Sequence, residues 1–176
     1  MELYDIIESY NTRQNLHWVT DGITSTTHFQ IEDEKYDIVI NHYDIELPTR
    51  ESSLNVDEIS FGRYDVNNKR LVSLTPSQHP SKVFGTIYNG VLDTIMIKKP
   101  DIIVFSAKNI NDNGDTTAFS KRIKLYNLIA QRINATGLYS YLNQPIKTQL
   151  AENFLLFRTD VKLQPDELDW IKQNIK

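Results

Sequence analysis

Ser77, Gln78, Ser81 and Lys82 are the first residues in this chain whose types and spacing could do chemistry. They lie in TPSQHPSK, at the expected start of a helix. Unsatisfied N–H groups and the helix dipole favour an anion there, and two hydroxyls and an ammonium could hold a phosphate. The same residues also make an ordinary capped helix with an exposed lysine. Glu58 and its neighbour Asp57 supply carboxylates on one strand, fit to act as a base, to pair with Arg63 across strands, or to face water. Tyr126 stands with Ile123 and Ala130 on one helix face. It reads as a core tyrosine or as a phenol that could give up a proton to a group in contact with it.

His17, His28, His42 and His79 have no metal-ligand spacing, and Asp37, Asp44 and Glu46 around His42 read as exposed strand acids, so no metal site is expected. There is no Gly-x-Ser-x-Gly elbow and no Walker loop, which argues against a serine hydrolase of that type and a P-loop NTPase. The absence of cysteine excludes disulfides, thiolate zinc sites and a cysteine nucleophile. Lys121, Arg122, Lys124 and Arg132 make one helix basic, with Lys98 and Lys99 nearby in sequence. The formal net charge of -4 nevertheless argues against a broad nucleic-acid surface. The 176 residues, 40% hydrophobic and 24% charged, suit one globular domain spanning 1–176. No apolar run approaches the roughly 18–20 residues of a membrane helix. The acidic, mixed beginning MELYDIIESYN is unlike a signal peptide, so a cytoplasmic protein without a membrane partner is expected.

These residues need elements to hold them. MELYDIIESYN predicts a short amphipathic helix, and Asn15–Gly22 a polar turn around Trp18. Strands are expected over Ile23–Ile31, Tyr36–Ile45 and Val56–Val66, with Ile38 and Ile40 on one face and Asp37, Val39 and Asn41 on the other. Val56, Glu58 and Ser60 should share one face of the third strand, and Ile59 and Phe61 the other. Leu71–Leu74 is a short apolar piece. Phe84, Ile87, Tyr88, Val91 and Ile95 form the core stripe of a helix of about four turns that begins near Pro80 and ends at Pro100. Gly85 and Gly90 suggest close packing on that helix. Asp101–Ala107 (DIIVFSA) is apolar throughout its middle, the mark of a strand buried on both faces at the centre of a sheet. A second helix opens at Thr117 or Ser120 and stops at Gly137. Strands at Leu138–Leu142 and Asn153–Thr159 and a helix opening at Pro165, anchored by Trp170 and Ile171, complete the chain.

The order is helix, three strands, helix, central strand, helix, two strands and a last helix. It resembles the fold of the Gcn5-related N-acetyltransferases over most of the chain. The local likeness lies in PDIIVFSA followed by SKRIKLYNLIAQRINATGLY. In that family a central strand leads to a helix with a Leu-Tyr pair, here Leu125-Tyr126, and a Gly-aromatic step opens the next strand, here Gly137-Leu138-Tyr139. The same stretch, with KVFGTIYNGVLDTI before it, is similar to uncharacterised small bacteriophage proteins. The resemblance implies an α+β fold with a mixed, mostly antiparallel sheet of six or seven strands and helices on both faces. It implies a splayed crevice near Ser106, with acetyl-CoA pyrophosphate at Ser77–Lys82, Glu58 near the amine and Tyr126 near the leaving thiolate. The family's phosphate turn, Arg/Gln-x-x-Gly-x-Gly/Ala, is not matched: Pro76-Ser77-Gln78-His79-Pro80-Ser81-Lys82 stands there, and proline lacks an N–H. The expectation is therefore a phage-type, non-catalytic protein-binding module on this fold, acting in the host cytoplasm on a host or virion protein. The alternative is an acyl-CoA-dependent N-acetyltransferase.

Overall fold

The segment DIIVFSA lies at the centre of the sheet, as its apolar run requires. In the computed structural model, which describes residues 15–71, 79–108, 116–142, 144–148 and 151–175, every residue from Asp101 to Ala107 is buried. The strand they form, β6 (Ile102–Lys108), pairs in parallel with β4 (Leu54–Tyr64) and antiparallel with β9 (Ala151–Arg158). From β4 the sheet continues outward through β3 (Glu34–Ile45) and β2 (Thr24–Ile31) to β1 (Trp18–Asp21), and from β9 to β7 (Tyr139–Tyr141). The path is thus β1-β2-β3-β4-β6-β9-β7. Two short strands, β5 (Arg70–Leu71) on β4 and β8 (Ile146–Lys147) on β9, bring the number among the described residues to nine. Among the described residues only the β4–β6 pair is parallel.

Among the described residues three helices cover the sheet. Helix α1 (Pro80–Lys98) starts with proline in its first turn, and Lys99 stops it in the left-handed conformation (φ 50°), donating its N–H to Ile95 O. Phe84, Ile87, Tyr88, Val91 and Ile95 are all buried, as their spacing predicts. A Cβ on Gly90 would stand 2.3 Å from Leu16 Cδ1, the close approach expected of that glycine. Helix α2 (Thr116–Ala135) buries Tyr126, Ile129, Ala130 and Ile133. These two helices share one core with Ile38, Ile40, Ile59, Phe61, Ile103, Phe105 and Phe154. Helix α3 (Pro165–Asn174) buries Ile171 on the other core, with Val56, Ile102, Val104 and Leu155. Helices therefore lie on both faces of the sheet, because each central strand alternates its apolar residues between two cores.

The structure differs from the sequence reading in places. Trp18–Asp21 is a strand and not a turn, because Gly22 (φ 59°) permits a two-residue hairpin into Thr24. The Glu32–Asp33 connection turns through Glu32 at φ 54°, so β3 already begins at Glu34. Strand β4 ends at Tyr64, where Asp65 begins a turn closed by its own side chain on the N–H groups of Asn67 and Lys69. The amphipathic segment MELYDIIESYN and residues 72–78, with Ser77 and Gln78, lie outside the described residues.

Candidate functional site

The β4–β6 register runs from Val56↔Ile102 to Ile59↔Phe105 and then stops, although β4 continues to Tyr64 and β6 to Lys108. The strands part beyond that point, and side chains fill the gap. Tyr126 packs its ring 4.5 Å from Phe61, 5.8 Å from Phe105 and 6.3 Å from Phe154, centroid to centroid, and is 0% exposed. Its hydroxyl has no hydrogen bond of normal geometry. Burial pushes the phenol up to about 12, opposed by the Phe61 backbone and by the Arg122 and Arg70 charges.

The other expected site residues do not meet Tyr126. Glu58 alternates with Ile59 and lies opposite Val104 in register, so it belongs to the α3 face of the sheet, while Tyr126 lies on the α1–α2 face. The charge of Glu58, second to burial, helps raise the Tyr43 phenol to about 12. Ser106 is 3% exposed and also faces away from Tyr126, opposite Asn153 in the β6–β9 register. Asn153 is 0% exposed, and neither of its side-chain amide atoms is hydrogen-bonded. Ser81 and Lys82 follow Pro80 in the first turn of α1, half-buried and exposed respectively. The residue that precedes this turn, His79, sits 2.9 Å from the Glu32 carboxylate, so the helix start already has an acid beside it. The described residues thus bring Glu58 and Ser106 to one face, Tyr126 to the other, and Ser81 and Lys82 to the start of α1.

A different set of side chains does converge. His42 continues the Ile38, Ile40 alternation and so falls on the α1–α2 face, where the register places it directly across from Asp57. His42 Nδ1 is 2.6 Å from Asp57 Oδ1, Ser25 Oγ is 2.8 Å from His42 Nε2, and Lys98 Nζ is 2.9 Å from the same nitrogen. Thr20 Oγ1 lies 2.9 Å from Ser25 Oγ. Five elements build this array: β1, β2, β3, β4 and the last turn of α1. The sequence held one signal for it, the odd–even parity that sends Asp57, and not Glu58, to the face of His42.

A second polar cluster ties β3 to β4 and β5. Asp37, 1% exposed, takes a two-pronged contact from Arg70 and a third from Tyr64. An open groove of about 410 Å³ beside them is lined by His28, Gln30, Lys35, Tyr64 and Asn68 among others. Among the described residues no group of three or more His, Asp or Glu is placed to hold a metal, and no helix is long and apolar enough to cross a membrane.

No protein-family model, no curated protein and no solved structure matches this chain.

Proposed function

We propose that this chain is a small phage-type protein with an acetyltransferase-like fold, used as a non-catalytic protein-binding module. Support for the fold comes from one parallel strand pair at the sheet's centre, joined by a helix and splayed after four residue pairs. The observation that carries the non-catalytic reading is the separation of the expected machinery. Tyr126 is sealed among three phenyl rings and Glu58 lies on the opposite face, so no amine and thioester could touch both. The described residues do not fit coenzyme A there. The protein-binding half draws support from the sheet edge. Among the described residues β1 pairs with β2 alone, and Val19 and Ile23 on that hairpin are 62% and 67% exposed. Such an edge offers backbone N–H and C=O groups to a partner strand. The partner on this reading is a host or virion protein met in the host cytoplasm.

The alternative, an acyl-CoA-dependent N-acetyltransferase with pyrophosphate at Ser77–Lys82, draws its support from the parting of β4 and β6 near Ser106. Calorimetric titration of the full chain with acetyl-CoA, with coenzyme A alone as control, separates the two. The expected result is no heat at concentrations that detect millimolar affinity. Micromolar binding that weakens in Lys82→Ala would overturn the module reading and put the alternative in its place.

A further inference from the structure

The array around His42 lies at the far end of α1 from Ser81 and Lys82, about 24 Å away by helical rise, and is independent of the coenzyme question. The carboxylate in it sets the tautomer of the ring. A carboxylate only accepts, so the 2.6 Å contact places the His42 ring proton on Nδ1, toward Asp57. Nε2 is then the accepting nitrogen, with one lone pair that Ser25 at 2.8 Å and Lys98 at 2.9 Å share, and Lys98 Nζ also reaches Ser25 Oγ at 3.5 Å. Ser25 is 2% exposed and also bonded to Thr20, so it is closed to any reactant and holds the ring in place. Lys98 is exposed. Asp57 is 5% exposed and its second oxygen, Oδ2, is buried without a hydrogen bond. A buried carboxylate with one short contact gains most from positive charge on that contact.

We propose that Lys98 is a site of covalent acylation by activated acyl esters, with His42 as the base that takes a proton from its amine as it attacks and Asp57 as the positioning residue that orients His42. The arrangement is a nucleophile on a base on an orienting acid. Lys98 reacts as the neutral amine, its first proton having gone to solvent. As that amine attacks the acyl carbon, His42 Nε2 takes one of its two remaining protons, and the imidazolium so formed sits against Asp57. The C–N bond forms, and the bond from the acyl carbon to the leaving phenolate or thiolate breaks, so that group departs as the anion. His42 returns its proton to solvent. The product is one stable amide per chain, a stoichiometric modification.

Lys99, exposed and one residue further on, is the internal reference, since no histidine holds its amine among the described residues. The full chain is treated with p-nitrophenyl acetate, and acetyl occupancy at each lysine is followed over time by tandem mass spectrometry. Lys98 is expected to react about a hundredfold faster than Lys99, the low end of general-base assistance. His42→Gln and Asp57→Asn should bring Lys98 down to the rate of Lys99 while leaving Lys99 unchanged, with circular dichroism confirming that each variant is folded. In urea the native chain should lose the difference, which tests the idea even where a variant does not fold. Equal rates at Lys98 and Lys99 in the folded chain would overturn it. So would acetyl appearing first as an ester on Ser25.

Discussion

The Asp37–Arg70 pair is the place where one substitution should be felt most clearly. The Asp37 side chain is 2% exposed and that of Arg70 is 32% exposed, so water can reach one partner and not the other. Asp37 Oδ2 accepts from Arg70 Nε at 2.6 Å and from Tyr64 at 2.9 Å, and Oδ1 accepts from Arg70 Nη2 at 2.9 Å. Gly62 makes room for this contact: a Cβ there would stand 2.8 Å from Arg70 Nε and 3.0 Å from Asp37 Oδ1. Arg70→Met strands a buried carboxylate with Tyr64 as its only remaining partner of the two. Breaking a fully buried pair costs about 3–5 kcal/mol, and the open side of Arg70 brings the expectation to about 2–3 kcal/mol. For a chain of this size that is a fall in Tm of roughly 4–12 °C. Asp37→Asn keeps the shape and some hydrogen bonding and should cost about half as much. The double variant should then lose less than the sum, leaving a coupling of about 1–2 kcal/mol. Urea denaturation of the four proteins measures it. Additivity within about 0.5 kcal/mol would refute the view that the pair acts as a unit in a water-poor site.

Glu167 supplies a pH-dependent test. Hydrogen bonds from Arg50 first, then the Gln164 backbone, hold its carboxyl down to about 2. The unfolded carboxyl titrates near about 4.3, so the contribution is complete above that pH and is lost as pH falls toward about 2. The urea midpoint of the parent should therefore drop across this window more steeply than that of Glu167→Gln; parallel slopes would sink the assignment. For Tyr126, loss of a buried hydroxyl without a hydrogen bond should cost under about 1 kcal/mol, whereas loss of the ring in Tyr126→Ala should cost about 3–5 kcal/mol. A Tyr126→Phe loss above about 2 kcal/mol, read from the same denaturation curves, would show that the hydroxyl has a partner.

The parts of this fold that could be read from residues alone are those where burial dictates residue type. DIIVFSA had to be central because only a strand covered on both faces can be apolar on both, and the stripe from Phe84 to Ile95 had to face a core because its spacing follows the helix. The edge strand β1 escaped notice for the opposite reason. Its residues are half-buried or exposed, so nothing apolar alternates, and it exists because Gly22 folds it back onto β2. The candidate site shows a second limit. Alternation assigns a face, and it correctly sets Glu58 with Val56 and against Ile59. It does not assign register. That His42 meets Asp57, and not Asn55 or Ile59, depends on how residues 46–53 join β3 to β4, and that Lys98 arrives beside them depends on the length of α1. Sequence could therefore mark Tyr126 and Glu58 by analogy, whereas only paired strands reveal that these two are divided by the sheet and that Ser25, His42, Asp57 and Lys98 meet on one face of it.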